Sequence, residues 1–361
     1  MAKPQFYSLK ICDIRRETAT CVSVAFEIPS DLQSEFSYNA GQYITIKKQL
    51  DGEELRRSYS LCSSPLEKDF RVAIKQVHGG RFSTYANKKM CVGDVLEVMT
   101  PMGNFTTALD ATASRNYMAF AAGSGITPII SLMKSILQTE ISSTFTLIFG
   151  NQNFYSIIFR EEIEALKNRF IGRLQVFHIL SRERMESDIN YGRIDGPKCE
   201  QLFSKLIDYR TVDEFFMCGP EEMIMCVKNF LDTKGVESSK IHFELFTTDS
   251  SGKAKQEYQE SHIADQGKTS LVTIKIDDRS IDFPLKFGGD TILDAALKQG
   301  ADLPFACKGG VCCTCRAKVI EGTVDMEVNY ALEKDEVENG FVLTCQAHPT
   351  SDRVVIDFDA R

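Results

Sequence analysis

Residues 307–315 read CKGGVCCTC, four of the chain's 12 cysteines within nine positions. Thiols crowded so far beyond an even scatter hold a metal, close a disulfide or work as a redox pair. The spacing narrows the choice. Counted from Cys307 it is C-x4-C-x2-C, through Cys312 to Cys315, and Cys345 follows after 29 intervening residues. A zinc ribbon offers two C-x2-C knuckles, whereas here only Cys312 and Cys315 form one. Cys313 breaks the pattern, because using it would change the spacings to x5 and x1. Cys12, Cys21, Cys62, Cys91, Cys199 and Cys226 lie scattered, mostly beside apolar residues. They read as buried reduced thiols in a compartment where disulfides are rare.

A C-x4-C-x2-C run with a distant fourth cysteine is the plant-type [2Fe–2S] arrangement. Soft thiolates suit iron and bridging sulfide. Gly309 and Gly310 let backbone N–H groups turn toward the sulfurs. The expected ligands are Cys307, Cys312, Cys315 and Cys345, with Cys313 a bystander. On LPFACKGGVCCTC (303–315) and LTCQAHP (343–349), residues 269–361 resemble plant-type ferredoxins. The resemblance implies an α+β, β-grasp domain.

Working back from this domain, residues 247–268 are polar with few apolar positions, the signature of a linker. Upstream, 111–246 alternates strand-like and helix-like runs: YMAFAA, TPIISLMKSILQ, FTLIFG, REEIEALKNRF, LQVFHIL, EFFMCG and EEMIMCVKNFL. Such alternation means parallel βαβ units and an α/β domain. Residues 1–110 instead carry short alternating or β-branched runs (CVSVAFEI, QYITIKK, RRSYSLC, RVAIKQV, DVLEVM), which suggests an antiparallel barrel. The formal net charge of −8 argues against nucleic-acid binding. Residues 269–361 hold 16 acidic and 10 basic side chains, so most of the excess lies there. It would serve either as a docking face for a basic partner or as solubilising charge. The N-terminus lacks the layout of a signal peptide, and no apolar run approaches the roughly 18 residues of a membrane span. A cytoplasmic protein with no membrane or nucleic-acid partner is expected.

A [2Fe–2S] module moves single electrons, while reduced nicotinamide gives up two as hydride; a flavin can split the pair. RRSYS (56–60), GGRFSTYA (79–86) and PMGNF (101–105) resemble the FAD-binding barrel of the ferredoxin–NADP⁺ reductase family. The resemblance implies that Arg57 pairs with the FAD pyrophosphate, that Tyr59 stacks on the isoalloxazine and that Ser60 hydrogen-bonds near flavin N5. It also implies a second phosphate contact at Gly80, Arg81, Phe82 and Ser83, with Ile74 and Lys75 along the flavin edge. AAGSGITP (121–128) follows a strand and opens a helix, the context for a dinucleotide pyrophosphate. It lacks the third glycine of G-x-G-x-x-G, but GSGITP and CGPEEM (218–223) are similar to the reductase family's forms. They imply nucleotide contacts at Gly123, Ser124, Gly125, Thr127, Pro128, Gly219, Pro220 and Met223, with Cys218 beside the nicotinamide. HFELF (242–246) resembles the family's pattern in which a carboxylate, Glu244, lies near the nicotinamide and an aromatic, Phe246, covers the flavin. Here the aromatic is phenylalanine and the chain continues, unlike reductases that end at a tyrosine.

A 2′-phosphate calls for hydroxyls and guanidinium groups, and a bare ribose for an acid. In SRERMES (181–187), Ser181 and Arg182, with Arg184, favour NADPH, while Glu183 would suit NADH. The resemblance spans barrel, dinucleotide domain, linker and ferredoxin. DGEELRRSYS, GRIDG and NYALEKDE look like reductase subunits that supply a carboxylate-bridged di-iron oxygenase. The implied relay runs from NADPH through FAD and [2Fe–2S] to that partner. Another oxygenase, hydroxylase or desaturase remains an alternative acceptor, and a non-enzymatic electron-transfer module a minor one.

Overall fold

The computed structural model describes residues 5–246, 267–277 and 279–360. Apart from Gly267 and Lys268, the linker expected over 247–268 lies outside the described residues. The chain divides into two compact units, Met1–Phe246 and Thr247–Arg361. Among the described residues no helix is long and apolar enough to cross a membrane.

The first unit begins with β1 (Phe6–Thr18), β2 (Cys21–Glu27), β3 (Tyr43–Leu50), β4 (Glu53–Ser60) and β5 (Phe70–Lys75). Helix α1 (Arg81–Lys88) and β6 (Val95–Met99) follow. The strands pair antiparallel in the order β4-β3-β6-β1-β2-β5. A bridge between Leu61 and Val72 returns the end of β4 to β5, and the Cys62 N–H donates to the Arg71 carbonyl at 2.9 Å. The sheet so closes into the barrel expected from the alternating runs. Val24, Ile44, Ile46, Val72, Ile74 and Val98 fill it and are fully buried, each such side chain stabilising by roughly 2 kcal/mol.

The periodicity did not announce β1. Its register shifts between Ile11 and Asp13 and again between Arg16 and Thr18, and bulges of this kind interrupt strict alternation. The expectation of buried scattered thiols needs a correction at the same place. Cys12, at the first shift, is exposed, and so is Cys91; Cys21, Cys62 and Cys199 are buried and Cys226 partly so.

The rest of the first unit alternates: β7 (Asn116–Ala122), α2 (Ile126–Thr139), β8 (Thr144–Asn151), α3 (Arg160–Arg169) and β9 (Leu174–Leu180). It continues with α4 (Gly196–Lys205), β10 (Glu214–Gly219), α5 (Glu221–Thr233) and β11 (Ile241–Leu245). The strand order is β11-β10-β7-β8-β9 and every pair is parallel. β8 lies on one side of β7 and β10 on the other. Strand order therefore reverses at β7, and such sheets take ligands at the carboxyl ends beside that switch. Helix α2 also packs on the barrel. Ser131 Oγ donates to the Ser63 carbonyl at 2.6 Å, and the Ser135 and Ser64 hydroxyls lie 2.8 Å apart. Between them the buried Lys134 Nζ donates to Glu67 Oε2 in the barrel and to Glu162 Oε1 on α3, each at 2.9 Å.

The second unit is a mixed sheet. It is built from β12 (Thr269–Ile276), β13 (Arg279–Lys286), α6 (Ile292–Lys298), β14 (Arg316–Glu321) and β15 (Val324–Met326). It ends with α7 (Lys334–Glu338), β16 (Phe341–Leu343), β17 (Ala347–Pro349) and β18 (Arg353–Asp357). The order is β13-β12-β18-β14-β16, with β12 and β18 parallel and the other pairs antiparallel, while β15 and β17 form a separate pair. Thr291 caps α6 by accepting from the Asp294 N–H at 3.3 Å. The loop between α6 and β14 carries Cys307, Cys312, Cys313 and Cys315, and Cys345 lies between β16 and β17.

Candidate functional site

Ser60 ends β4 and is buried; its hydroxyl donates to Glu244 Oε2, on β11, at 3.1 Å. This bond joins barrel to parallel sheet. Removal from solvent pushes the Glu244 carboxyl up to about 8, against the opposing pull of the Ser60 hydroxyl. Cys218 is paired with Glu244 in the β10–β11 register and is fully buried. Burial first, and the neighbouring Glu244 second, hold its thiol well above the ordinary range. Three residues expected around hydride transfer, 60, 218 and 244, thus come from three strands to one place.

Around them, the Tyr59 ring packs on the buried Phe82 ring, with centroids 5.8 Å apart and planes 31° apart. Burial raises the Tyr59 phenol. Gly80 caps α1 where a β-carbon would sit 2.5 Å from Ser83 Oγ. Ser83 Oγ accepts from the Val77 N–H at 3.1 Å and donates to the Gly80 carbonyl at 3.3 Å. That closes the turn and leaves the first-turn N–H groups of α1 to receive an anion. Ile74 is fully buried, whereas Lys75 Nζ reaches within 3.0 Å of where a Gly123 β-carbon would stand. Two expected phosphate contacts lie at the surface. Arg57 is exposed and donates to the Arg56 carbonyl at 2.7 Å; Arg81 pairs with Glu53 and donates to the Leu50 carbonyl at 2.7 Å. Phe246 packs partly buried against the core of the parallel sheet.

The two glycine turns at the switch point interlock. A β-carbon on Gly125 would overlap the Cys218 carbonyl, and one on Gly219 would lie 2.7 Å from Met223 Cε and 3.1 Å from the Ala122 β-carbon. Gly125 thus lies too close to the Cys218–Gly219 backbone for any side chain to fit. Thr127 Oγ1 donates to the Ser124 carbonyl at 3.0 Å, and Pro128 lies in the first turn of α2. Farther along the same edge, the Ser181 N–H donates to the Asn151 carbonyl at 2.9 Å and the Arg182 N–H to the Gln152 carbonyl at 2.8 Å. The Arg182 side chain is exposed, and the Arg184 guanidinium lies 5.4 Å from the Tyr191 ring centroid. Glu183 Oε2 is engaged, accepting from the Phe154 N–H at 2.8 Å.

In the second unit four thiols from two segments converge. Cys312 Sγ donates to Cys307 Sγ at 3.0 Å, and Cys345 makes side-chain contacts with Cys307 and Cys315. The Gly309 N–H donates to Cys307 Sγ at 3.3 Å, and the Gly310 N–H reaches Cys345. Cys313 is buried, and its carbonyl accepts from the Arg316 N–H at 3.1 Å. Among the described residues no three side chains are arranged to chelate one metal ion. A two-iron cluster takes its thiolates two to an iron, so an all-thiol set gathered in pairs, with N–H groups at the sulfurs, fits that group.

Comparison with known proteins agrees with this division. The chain matches, in order, an oxidoreductase FAD-binding domain over 9–107, an oxidoreductase NAD-binding domain over 120–229 and a 2Fe-2S iron-sulfur cluster binding domain over 274–350. It is 44% identical over 356 residues to one of the subunits of the 1,2-phenylacetyl-CoA epoxidase of Escherichia coli K12, covering 99% of this chain and 98% of that one. It is 32% identical over 357 residues to the ferredoxin reductase component of the 3-ketosteroid-9-alpha-monooxygenase of Rhodococcus rhodochrous, covering 97% and 96%. Among solved structures, phthalate dioxygenase reductase superposes over 98% of both chains with a TM-score of 0.58 at 21% identity. An intact self-sufficient cytochrome P450 monooxygenase matches 97% of this chain with 41% of its own, at a TM-score of 0.69 and 18% identity.

Fold and matched domains together define an NAD(P)H-dependent flavin and iron–sulfur oxidoreductase that passes electrons to an oxygenase. The chain belongs to the family of oxygenase reductase components that includes this polypeptide of the 1,2-phenylacetyl-CoA epoxidase.

Proposed function

We propose that this chain is the reductase component of a phenylacetyl-CoA epoxidase in phenylacetate breakdown, drawing on NADPH and delivering single electrons to a carboxylate-bridged di-iron oxygenase in the cytoplasm. The flavin, when bound, accepts hydride and releases its electrons one at a time. The chain's own residues bind and align the rings, and alignment is the main source of rate in such a step. Tyr59 and Phe246 would flank the isoalloxazine, with Ile74 and Lys75 along its edge. Arg57 and the Gly80–Ser83 turn would hold the phosphates of FAD. Ser60, oriented by its bond to Glu244, would present its hydroxyl at N5, and Cys218 would fix the nicotinamide against it. Gly123 to Pro128, with Gly219, Pro220 and Met223, would carry the nucleotide. Cys307, Cys312, Cys315 and Cys345 would ligate the cluster.

The bond between Ser60 and Glu244, next to Cys218 in register, carries the hydride-transfer reading, because it brings donor-side and acceptor-side residues together. The partner rests on the 44% identity to an epoxidase component. Preference for NADPH is supported by Glu183, whose carboxylate is occupied by the Phe154 N–H while Arg182 stays exposed. An anaerobic titration of the purified protein with NADPH and separately NADH tests the donor. Flavin bands overlain by broad iron–sulfur absorption should bleach faster with NADPH; faster bleaching by NADH would reverse the assignment. For the acceptor, NADPH consumption should couple to a purified di-iron phenylacetyl-CoA epoxidase. Coupling to a 3-ketosteroid monooxygenase oxygenase instead would overturn the partner.

A further inference from the structure

The residue after the fourth cysteine has a side chain that ties the cysteine loop together. Gln346 is buried, and its Nε2 donates to the Lys308 carbonyl at 3.1 Å and to the Cys345 carbonyl at 2.9 Å. The same nitrogen lies 3.8 Å from Cys345 Sγ. One amide therefore spans both cysteine-bearing segments, 307–315 and 345: its two hydrogens serve the two carbonyls, and its nitrogen, the positive end of the amide, lies beside the sulfur of the second. The surrounding backbone fixes it there. The Gln346 N–H donates to the Leu343 carbonyl at 2.9 Å, and its own carbonyl accepts from the Glu327 N–H at 2.9 Å. Gly310, at φ 72°, leaves room where a β-carbon would sit 3.2 Å from Gln346 Cγ. Within β17, which follows directly, His348 Nε2 bonds to Glu327 Oε1 at 2.8 Å with both side chains buried, and this clamps the segment beside Gln346.

We infer that Gln346 is a positioning residue that sets the reduction potential of the cluster, by setting the positive end of its amide beside Cys345 Sγ and by holding the two cysteine segments at fixed separation. The inference rests on the four-thiol cluster reading above. Its physical basis is that reduction adds one negative charge without a proton. The positive end of an amide beside a ligating sulfur is attracted more strongly when that charge is present, so it favours the reduced form. The amide gives up no proton in the exchange. Gln346 has a second, steric task in bridging Lys308 to Cys345, and a potential measurement separates the two.

The test compares the full-length holoprotein with Gln346→Met, which keeps length but has no donor, and Gln346→Glu, which keeps shape and cannot donate when ionised. Cluster content is verified by iron analysis and circular dichroism, and the potential is read by EPR-monitored redox titration. Both variants should retain the cluster and show a lower potential, by on the order of tenfold in the one-electron equilibrium, or about 59 mV. Unchanged potentials in cluster-loaded variants would overturn the inference. Should either variant fail to hold iron, the parent protein decides. With 15N in its glutamine side chains, the reduced cluster should show a hyperfine coupling to a nitrogen that Gln346→Met removes in whatever fraction is loaded. No coupling in the parent would also overturn it. A parent with flavin but no iron–sulfur absorption would instead sink the cluster reading itself.

Discussion

Glu244 is the residue on which the proposed hydride site turns. Its carboxyl is pushed up to about 8 by burial, so it is neutral through most of the working range and ionises as the pH passes that value. In the proposed site, an ionised Glu244 would put negative charge beside the ring that must accept electrons. The rate of flavin reduction by NADPH in stopped flow should therefore fall as the pH rises through about 8, and Glu244→Gln should flatten the profile. A break of equal size in the variant would remove Glu244 from that role. The same shift has a sign for stability. The native state keeps this proton up to about pH 8 while the unfolded chain sheds it in the ordinary carboxylate range, so the stabilising contribution is lost as the pH rises across that window. Cys218→Ala should slow flavin reduction by on the order of tenfold through loosened ring alignment, with FAD and iron contents unchanged. An unaltered rate would make the buried thiol a packing residue only. Motifs located Ser60, Cys218 and Glu244 in the sequence and the resemblance implied that they share a site, but the pairing that seats Cys218 against Glu244 was not legible there. It depends on which strands neighbour β10, and only the sheet order supplies that. Gln346 was missed as well. Its signal is its position directly after a cysteine, which means little until the Lys308 carbonyl is seen across from it.

At the level of elements, periodicity sufficed where one face of a run is apolar and failed where it is not. Helix α2 was readable because Ile129, Ile130, Met133, Ile136 and Leu137 make an apolar stripe at helical spacing, although the helix is buried all round. Helix α4 was not anticipated, because its buried face includes Lys198, whose ammonium donates to the Asp188 and Ile189 carbonyls at 3.0 Å each. A lysine in the stripe hides the period. The cap would have helped, since the Asp195 side chain accepts from the Lys198 N–H and Pro197 follows in the first turn. Lys134 on α2 plays a comparable part between elements. Replacing it with alanine leaves Glu67 and Glu162 facing each other without the cation. Because those carboxylates keep 32% and 42% of their exposure, the cost falls between a surface pair and a buried one, at about 2 kcal/mol. Urea unfolding of Lys134→Ala measures it, and a change within error would show that the seam is held by Ser131, Ser135 and apolar contacts alone.

For the whole molecule, the division into units predicts how function can be taken apart. All the groups assigned to flavin and nucleotide lie within residues 57–246, and all four thiols lie in the second unit. Stripping iron under chelator should therefore leave NADPH reduction of the flavin intact while abolishing one-electron delivery to the oxygenase. Loss of flavin reduction on stripping would mean that the two functions are not separable. The fold classes of the first unit were legible because each follows from a local pattern, alternation for the barrel and βαβ order for the sheet, whereas that of the second came from its resemblance to plant-type ferredoxins and not from thiol spacing alone. The partner was not legible in this way, since nothing in composition or spacing records which surface a reductase meets.

The interlocked turns at Gly125 and Cys218 bear on how this chain can diverge. A side chain at 125 can enter only if β10 withdraws, and withdrawal would carry Cys218 out of step with Glu244. Among descendants of this sequence, position 125 should stay glycine even where the electron acceptor changes, while the exposed residues of 182–187 are free to drift and retune the choice of nucleotide. New partners would thus be acquired around a hydride site that selection holds nearly still.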